Sequence, residues 1–262
     1  DEANSIAVDS KGSVYVTGST HSGVIGRDYC TIKYSSDGKE EWVRIYSGEG
    51  RIEDSDESAV AITTDKSDFI YVTGYSNGRG DGYEFSTIKY NFEQIWQRTS
   101  ENITGKPSDI KTDRDGNILI TGYCNTALSG KDFVTLKYNS DGDQLWMETY
   151  NGTGRNVVNN DDEAFSISAD TDEMIYITGY SYGINTGKDF LTIKYSSDGY
   201  EQWVSRTDSH SDNQKEAIDD IPVAAETDKS GNIFITGKTI SPVNGGSDFM
   251  TVLKKKTFAM QQ

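Results

Sequence analysis

Cysteine, histidine, proline and basic residues are all scarce in this chain, and each scarcity excludes something. Two cysteines in 262 residues, Cys30 and Cys124, cannot make a disulfide framework, and they fall in segments that are not adjacent, so both are expected as free thiols. The two histidines, His21 and His210, sit in no metal or nucleophile pattern. With 25 Lys and Arg against 42 Asp and Glu, the net charge is -17, which repels nucleic acid and anionic membrane surfaces and excludes both as partners. No apolar run approaches the roughly 18 residues that a membrane-crossing helix needs, so membrane insertion by a helix is excluded as well. A hydrophobic fraction of 34% would suggest disorder, but 11% of the residues are aromatic, 16 of them Tyr, and they fall in regular clusters, so the chain is expected to fold. No secretory leader is visible ahead of Asp1, which a processed chain would equally lack, so compartment has to come from elsewhere.

What is present is repetition. Val14-Tyr15-Val16-Thr17-Gly18 recurs as Ile70 to Gly74, Ile118 to Gly122, Ile175 to Gly179 and Ile233 to Gly237. The glycines stand 56, 48, 57 and 58 residues apart, too far for a solenoid turn and suited to a four-stranded propeller blade. Each repeat carries a second stretch, Tyr29 to Tyr34, Phe85 to Tyr90, Phe133 to Tyr138, Phe190 to Tyr195 and Phe249 to Lys254, and the first four add Trp42, Trp96, Trp146 or Trp203. Apolar and polar residues alternate over runs of five to seven rich in β-branched and aromatic types, which reads as strands. Tight turns separate them, Asp9-Ser10-Lys11-Gly12, Asp113-Arg114-Asp115-Gly116 and Asp228-Lys229-Ser230-Gly231 in one place, and Ser36-Asp37-Gly38, Ser140-Asp141-Gly142 and Ser197-Asp198-Gly199 in another. No window of 11 or more residues has a 3.6 period, so almost no helix is expected.

These motifs resemble the SBBP-type β-propeller repeat, with its Asp-x-x-Gly turn, YVTG strand, Asp-Tyr/Phe entry, TIKY strand, Asp-Gly turn and Trp strand, and the resemblance spans essentially the whole chain. It implies an all-β fold, a five-bladed β-propeller of four-stranded antiparallel blades forming a single domain over residues 1–262, with repeats at about 1–53, 54–105, 106–158, 159–214 and 215–262. The family is usually seven-bladed, and five repeats are where this chain departs from it. The last repeat lacks the Asp-Gly turn and the Trp, which leaves three outcomes open: Phe258 on a degenerate fourth strand, a three-stranded last blade, or a fragment of a longer propeller. The resemblance also points to a secreted or cell-surface protein.

In such a meander the two hairpin turns share one end of each blade, and the longer connections share the other. The longer ones include 19–27, 75–83, 180–188, 47–56, 151–160 and 208–217, and long loops on a rigid scaffold are where binding usually resides. An acid precedes the second stretch in every repeat: Asp28, Glu84, Asp132, Asp189 and Asp248. These five carboxylates either cap backbone N–H groups or pair with a neighbouring Lys at a loop end, or else form a ring for a cation or polar ligand, joined by Asp56, Glu57, Asp161, Asp162, Glu163, Asp219 and Asp220. Calcium is the cofactor such a ring would take, and no other cofactor is expected. Tyr75, Tyr123 and Tyr180 follow the glycine in the middle repeats, either packing between blades or offering ring faces to sugars beside hydroxyl-accepting carboxylates. The tryptophans are expected to pack between blades.

Other short matches carry less. Asp113-Arg114-Asp115-Gly116 lacks the later acids of a calcium-binding EF-hand loop and reads as a hairpin. Arg79-Gly80-Asp81 matches an integrin-ligand tripeptide that glycine-rich loops produce by chance, and Asn102-Ile103-Thr104 and Asn151-Gly152-Thr153 fit the glycosylation pattern. Catalysis needs unlike roles gathered in one place, whereas these acids are nearly equivalent around the repeats. The expectation is therefore a non-enzymatic binding module for a protein or carbohydrate ligand. The alternatives are a glycan-processing enzyme using the same carboxylates and a purely structural surface-layer domain.

Overall fold

The computed structural model describes residues 1–21, 26–48, 56–77, 82–100, 103–126, 130–152, 161–183, 186–209, 219–240 and 246–256. They form nineteen strands and, among the described residues, no helix. The first repeat supplies β1 (Glu2–Val8), β2 (Val14–Thr20), β3 (Asp28–Tyr34) and β4 (Glu40–Tyr46), and the second β5 (Ser58–Thr64), β6 (Ile70–Asn77), β7 (Tyr83–Tyr90) and β8 (Gln94–Thr99). The third gives β9 (Gly105–Thr112), β10 (Ile118–Thr126), β11 (Gly130–Tyr138) and β12 (Gln144–Tyr150). The fourth gives β13 (Glu163–Ala169), β14 (Ile175–Gly183), β15 (Gly187–Tyr195) and β16 (Glu201–Thr207), and the fifth β17 (Asp220–Thr227), β18 (Ile233–Ile240) and β19 (Ser247–Lys254). Every repeat is one antiparallel sheet in which sequence neighbours pair, with four strands in the first four sheets and three in the fifth. Phe258, the candidate for a further strand there, lies outside the described residues.

The chain divides into two compact bodies, 1–120 with 137–144, and 121–136 with 145–262. In the first body β5 packs against β1 and β2, and β9 against β5 and β6. Tyr15 and Tyr29 of the first sheet are buried against Ala59, Ile62, Ile70, Val72, Ile88 and Tyr90. In the second body β17 packs against β13 and β14, and Tyr176, Phe190 and Trp203 are covered by Ala225, Ile233 and Ile235. The tryptophans do pack, and two also bond the next repeat's turn: Trp96 Nε1 donates to the Ser140 carbonyl (3.1 Å) and Trp146 Nε1 to that of Ser197 (2.9 Å).

The glycine of the repeated strand has a steric cause. In the first strand of a sheet the register slips by one residue, between Ala59 and Ala61 for instance and again between Ala164 and Ser166. This bulge presses backbone onto the glycine opposite, so that a Cβ added at Gly74 would meet the Ser58 carbonyl oxygen and stand 2.7 Å from Ala59 Cα.

The first turn is organised by its aspartate. Asp9 Oδ1 accepts from the backbone N–H groups of Lys11 (3.0 Å) and Ser13 (2.8 Å), while Oδ2 accepts from the Tyr15 hydroxyl (2.9 Å). Tyr71 and Tyr176 repeat this with Asp65 and Asp170. Where the tyrosine is replaced by Leu119 or Phe234, an asparagine takes over: Asn117 Nδ2 reaches Asp113 Oδ2 (2.8 Å) and Asn232 Nδ2 reaches Asp228 Oδ2 (2.7 Å). The second carboxylate oxygen is thus satisfied in every repeat by one of two residues. The turn also forms without glycine, since Asp68 (φ 63°) and Glu173 (φ 61°) occupy the left-handed position that Gly12, Gly116 and Gly231 hold elsewhere.

The fifth sheet differs on one face. Phe249 is 80% exposed, whereas its counterparts Phe85, Phe133 and Phe190 are each 1% exposed. Phe234, the counterpart of the buried Tyr71 and Tyr176, is exposed as well.

Candidate functional site

The five acids before the third strand are not equivalent in the fold. Asp132 and Asp189 are buried, Asp28 and Glu84 half-buried, and Asp248 exposed. What unites the buried ones is a junction built by the two acids that open the next repeat. In the second body the Asp162 N–H donates to the Lys131 carbonyl (2.7 Å), while Asp161 Oδ1 accepts from the Lys131 N–H (3.1 Å). Asp162 Oδ2 in turn takes the Gly152 N–H (2.5 Å) and Oδ1 the Tyr182 N–H (3.3 Å). One repeat on, Asp219 Oδ1 accepts from the Lys188 N–H (3.0 Å), and Asp220 accepts the N–H and hydroxyl of Ser209 (both 2.7 Å). The first body has the same device: Arg27 and Asp56 pair through their backbones in an isolated parallel bridge, the Glu57 N–H donates to the Arg27 carbonyl (2.9 Å), and Glu57 Oε2 takes the Gly48 N–H (2.5 Å). These linker acids therefore satisfy backbone donors at the ends of strands, a role the sequence suggests for the five acids before the third strand and not for them.

Burial sets the electrostatics. It raises the Asp162 carboxyl above the usual carboxylate range in spite of the Gly152, Ser181 and Tyr182 donors, with the neighbouring Asp132 adding to the effect. Burial likewise raises Asp189, against the opposing pull of Thr186 and Arg206. Arg206 NH1 donates to Asp189 Oδ2 (2.9 Å) and to the Ser181 carbonyl (2.6 Å), and NH2 donates to Ser181 Oγ (2.8 Å). Asp189 has no exposed side-chain surface, whereas the Arg206 side chain is partly exposed.

Each of the three tyrosines carries a lysine over its ring. Lys106 Nζ stands 3.7 Å from the Tyr75 ring centre and 4.2 Å from that of Tyr83, Lys131 Nζ 4.3 Å from Tyr123, and Lys188 Nζ 3.9 Å from Tyr180. Lys131 also pairs with Glu163, and Tyr180 is buried with its hydroxyl bonded to Glu163. Tyr75 meets Tyr83 edge-on at 4.7 Å and is half-buried, as is Tyr123. Within each body, then, the long-connection ends of the sheets carry clusters of aromatic ring and ammonium, joined in the second body by the Glu163 carboxylate.

Arg206 and Asp208 did not stand out in the sequence, because their strand has no motif beyond its tryptophan. Their signal is a departure from the repeat: three residues past the tryptophan stand Ile45, Thr99, Thr149 and then Arg206. Both cysteines are free thiols, and burial pushes Cys124 up to about 11. Arg79-Gly80-Asp81, His210 and most of the long connections lie outside the described residues.

Comparison with known proteins bears on the fold. The model of the SBBP beta-propeller repeat matches residues 1–26 and 41–81. No curated protein matches the chain. Among solved structures, a protein of unknown function from Dyadobacter fermentans DSM 18053 aligns with 96% of this chain and 76% of its own length at 10% identity, with a TM-score of 0.57. An ulvan lyase from a new polysaccharide lyase family, bound to -[GlcA(1-4)Rha3S]-, aligns over 95% and 68% at 13% identity and a TM-score of 0.59. The Hadza microbial sialidase aligns over 96% of this chain and 57% of its own at 12% identity, TM-score 0.55. At such identities the likeness is one of fold.

Proposed function

From the SBBP-type β-propeller repeats that this chain carries, we propose that it is a non-enzymatic binding module of a secreted or cell-surface protein, its five sheets serving as blades. The long-connection ends engage a carbohydrate. The observation that carries this reading is the recurrence of a lysine ammonium over the ring at Tyr75, Tyr123 and Tyr180, with the Glu163 carboxylate beside the last two. The half-buried rings of Tyr75 and Tyr123 keep surface for the apolar face of a sugar, with buried Tyr180 bracing its cluster, while lysine and carboxylate groups donate to and accept from its hydroxyls. Several similar weak sites on one body raise avidity without any deep pocket. The linker acids are already committed to backbone donors, which suits a scaffold better than a reaction centre.

One observation favours a second reading, a glycan-processing enzyme: Asp162 and Asp189 are carboxyls raised by burial, as a general acid requires. That two of the similar folds act on glycans agrees with a carbohydrate ligand under either reading. A glycan array probed with the purified chain, in calcium and then in chelator, tests the proposal. Reproducible binding, with the bound glycan recovered intact after long incubation, is expected. A blank array overturns the carbohydrate reading, and cleavage of the bound glycan replaces the module with the enzyme.

A further inference from the structure

The fourth repeat departs from the others at a second position, five residues past its tryptophan, where Ser47, Glu101 and Asn151 give way to Asp208. Asp208 follows β16 and is half-buried. Its carboxylate comes beside those of Asp189, at the start of β15, and Asp220, which opens β17, with one oxygen from each within 4.8 Å of the other two. Asp189 and Asp220 are both fully buried. Three carboxylates so close repel one another unless positive charge lies among them. Arg206 provides one such charge through Asp189 Oδ2.

A separate observation points to what would complete the cluster. Asp189 Oδ2 accepts both Arg206 NH1 and Thr186 Oγ1, each at 2.9 Å, whereas Asp189 Oδ1 is buried and receives no hydrogen bond. A buried carboxylate oxygen without a donor carries a desolvation cost that natural folds rarely leave unmet. Hydrogen-bond donors from the protein already serve Oδ2, so Oδ1 suits a cation.

We propose that Asp189, Asp208 and Asp220 bind one divalent, oxygen-preferring cation of the calcium class. Calcium holds its oxygen ligands at about 2.3–2.6 Å, so two ligands of one ion lie at most about 5 Å apart, and the cluster fits within that limit. An all-carboxylate donor set without sulfur or imidazole selects a hard cation over zinc or copper. The ion would offset the repulsion among the three carboxylates and supply a partner to Asp189 Oδ1. Half-exposed Asp208 gives the ion a route in and leaves coordination positions for water, so affinity belongs with the weaker sites, of order 10⁻⁴–10⁻³ M. In the third repeat the corresponding residues are Asp132, Asn151 and Asp162, one carboxylate fewer, so the fourth repeat holds the stronger site.

The site is tested with the metal alone, so its outcome stands apart from the carbohydrate reading. Calcium chloride is titrated calorimetrically into the full chain stripped with chelator, and thermal melting is followed with and without about 10 mM calcium, an order of magnitude above the expected dissociation constant. One ion per chain and a raised melting temperature are expected. Asp208→Asn places at this position the residue that the third repeat already tolerates, and it should weaken binding at least about tenfold while the circular dichroism in chelator stays unchanged. Asp208→Ser, which copies the first repeat's Ser47, serves as the second variant should the first fold poorly. No heat and no melting shift in the natural chain overturns the proposal, and so does binding that neither variant weakens.

Discussion

Phe190 and Phe249 occupy the same place in successive repeats, each following an aspartate at the start of the third strand, yet one is 1% and the other 80% exposed. Truncating each to alanine therefore separates sequence position from burial. Phe190 is covered by Ala225, Ile233 and Ile235 in a tightly filled cluster, so Phe190→Ala removes buried area and leaves a cavity, at a cost of about 3–5 kcal/mol. Phe249 already meets solvent in the folded chain, so Phe249→Ala gives up little burial and is expected to change stability by about 0.5 kcal/mol or less. Urea unfolding followed by tryptophan fluorescence, at two protein concentrations, measures both differences, provided the slope with denaturant is unchanged. A loss above about 1.5 kcal/mol for Phe249→Ala would show that its face is covered in solution, and would refute the argument from exposure.

Three further expectations follow from backbone and charge. Gly74→Ala forces a Cβ into the backbone of the bulged strand and should cost about 3 kcal/mol, whereas Gly38→Ala meets open space and costs only its left-handed conformation, about 1 kcal/mol; equal losses in urea melts would dismiss the steric account of the repeated glycine. Glu173→Gly relieves a left-handed side chain and should stabilise by about 0.5–1 kcal/mol, and an unchanged or lower melting temperature would count against strain there. Burial raises the Asp9 carboxyl, but donors from Ser13, Tyr15 and Lys11 outweigh it and hold the group below 3.8. Its contribution is therefore full at neutral pH and lost as pH falls through the lowered value. Asp9→Asn should flatten the acid limb of a stability profile below about pH 4, and an identical limb would remove Asp9 as its source.

Much of this architecture could be read from the chain because its determinants are local. Alternating β-branched and aromatic residues specify strands, the aspartate turns close on donors within four residues, and recurrence of Thr-Gly marks the repeat. The turns at Asp68 and Glu173 escaped the pattern because they lack its glycine, yet they close on the same local bonds, Asp65 Oδ1 and Asp170 Oδ1 each accepting two backbone N–H groups, and Asp68 is also tied to Ser10 of the preceding repeat through both carboxylate oxygens.

The candidate sites were legible only in part. Asp28, Glu84, Asp132, Asp189 and Asp248 look alike in sequence, and the fold makes them buried, half-buried or exposed according to what packs beside each strand end. Tyr75, Tyr123 and Tyr180 were visible; Lys131 and Lys188 each stand eight residues past Tyr123 and Tyr180 on the neighbouring strand, a shared spacing, whereas the lysine over Tyr75 comes from the next repeat and no spacing announces it. Sequence by itself determined the repeat, its strands and turns, and the all-β class, because hydrogen bonding and side-chain alternation act between near neighbours. Only the tertiary structure decided that Asp189, Asp208 and Asp220 meet, that Asp189 keeps an oxygen without a donor, and that Phe249 lies bare while Phe190 is covered. Proximity between separate strands and burial by a neighbouring sheet depend on how the sheets pack, which no single strand encodes.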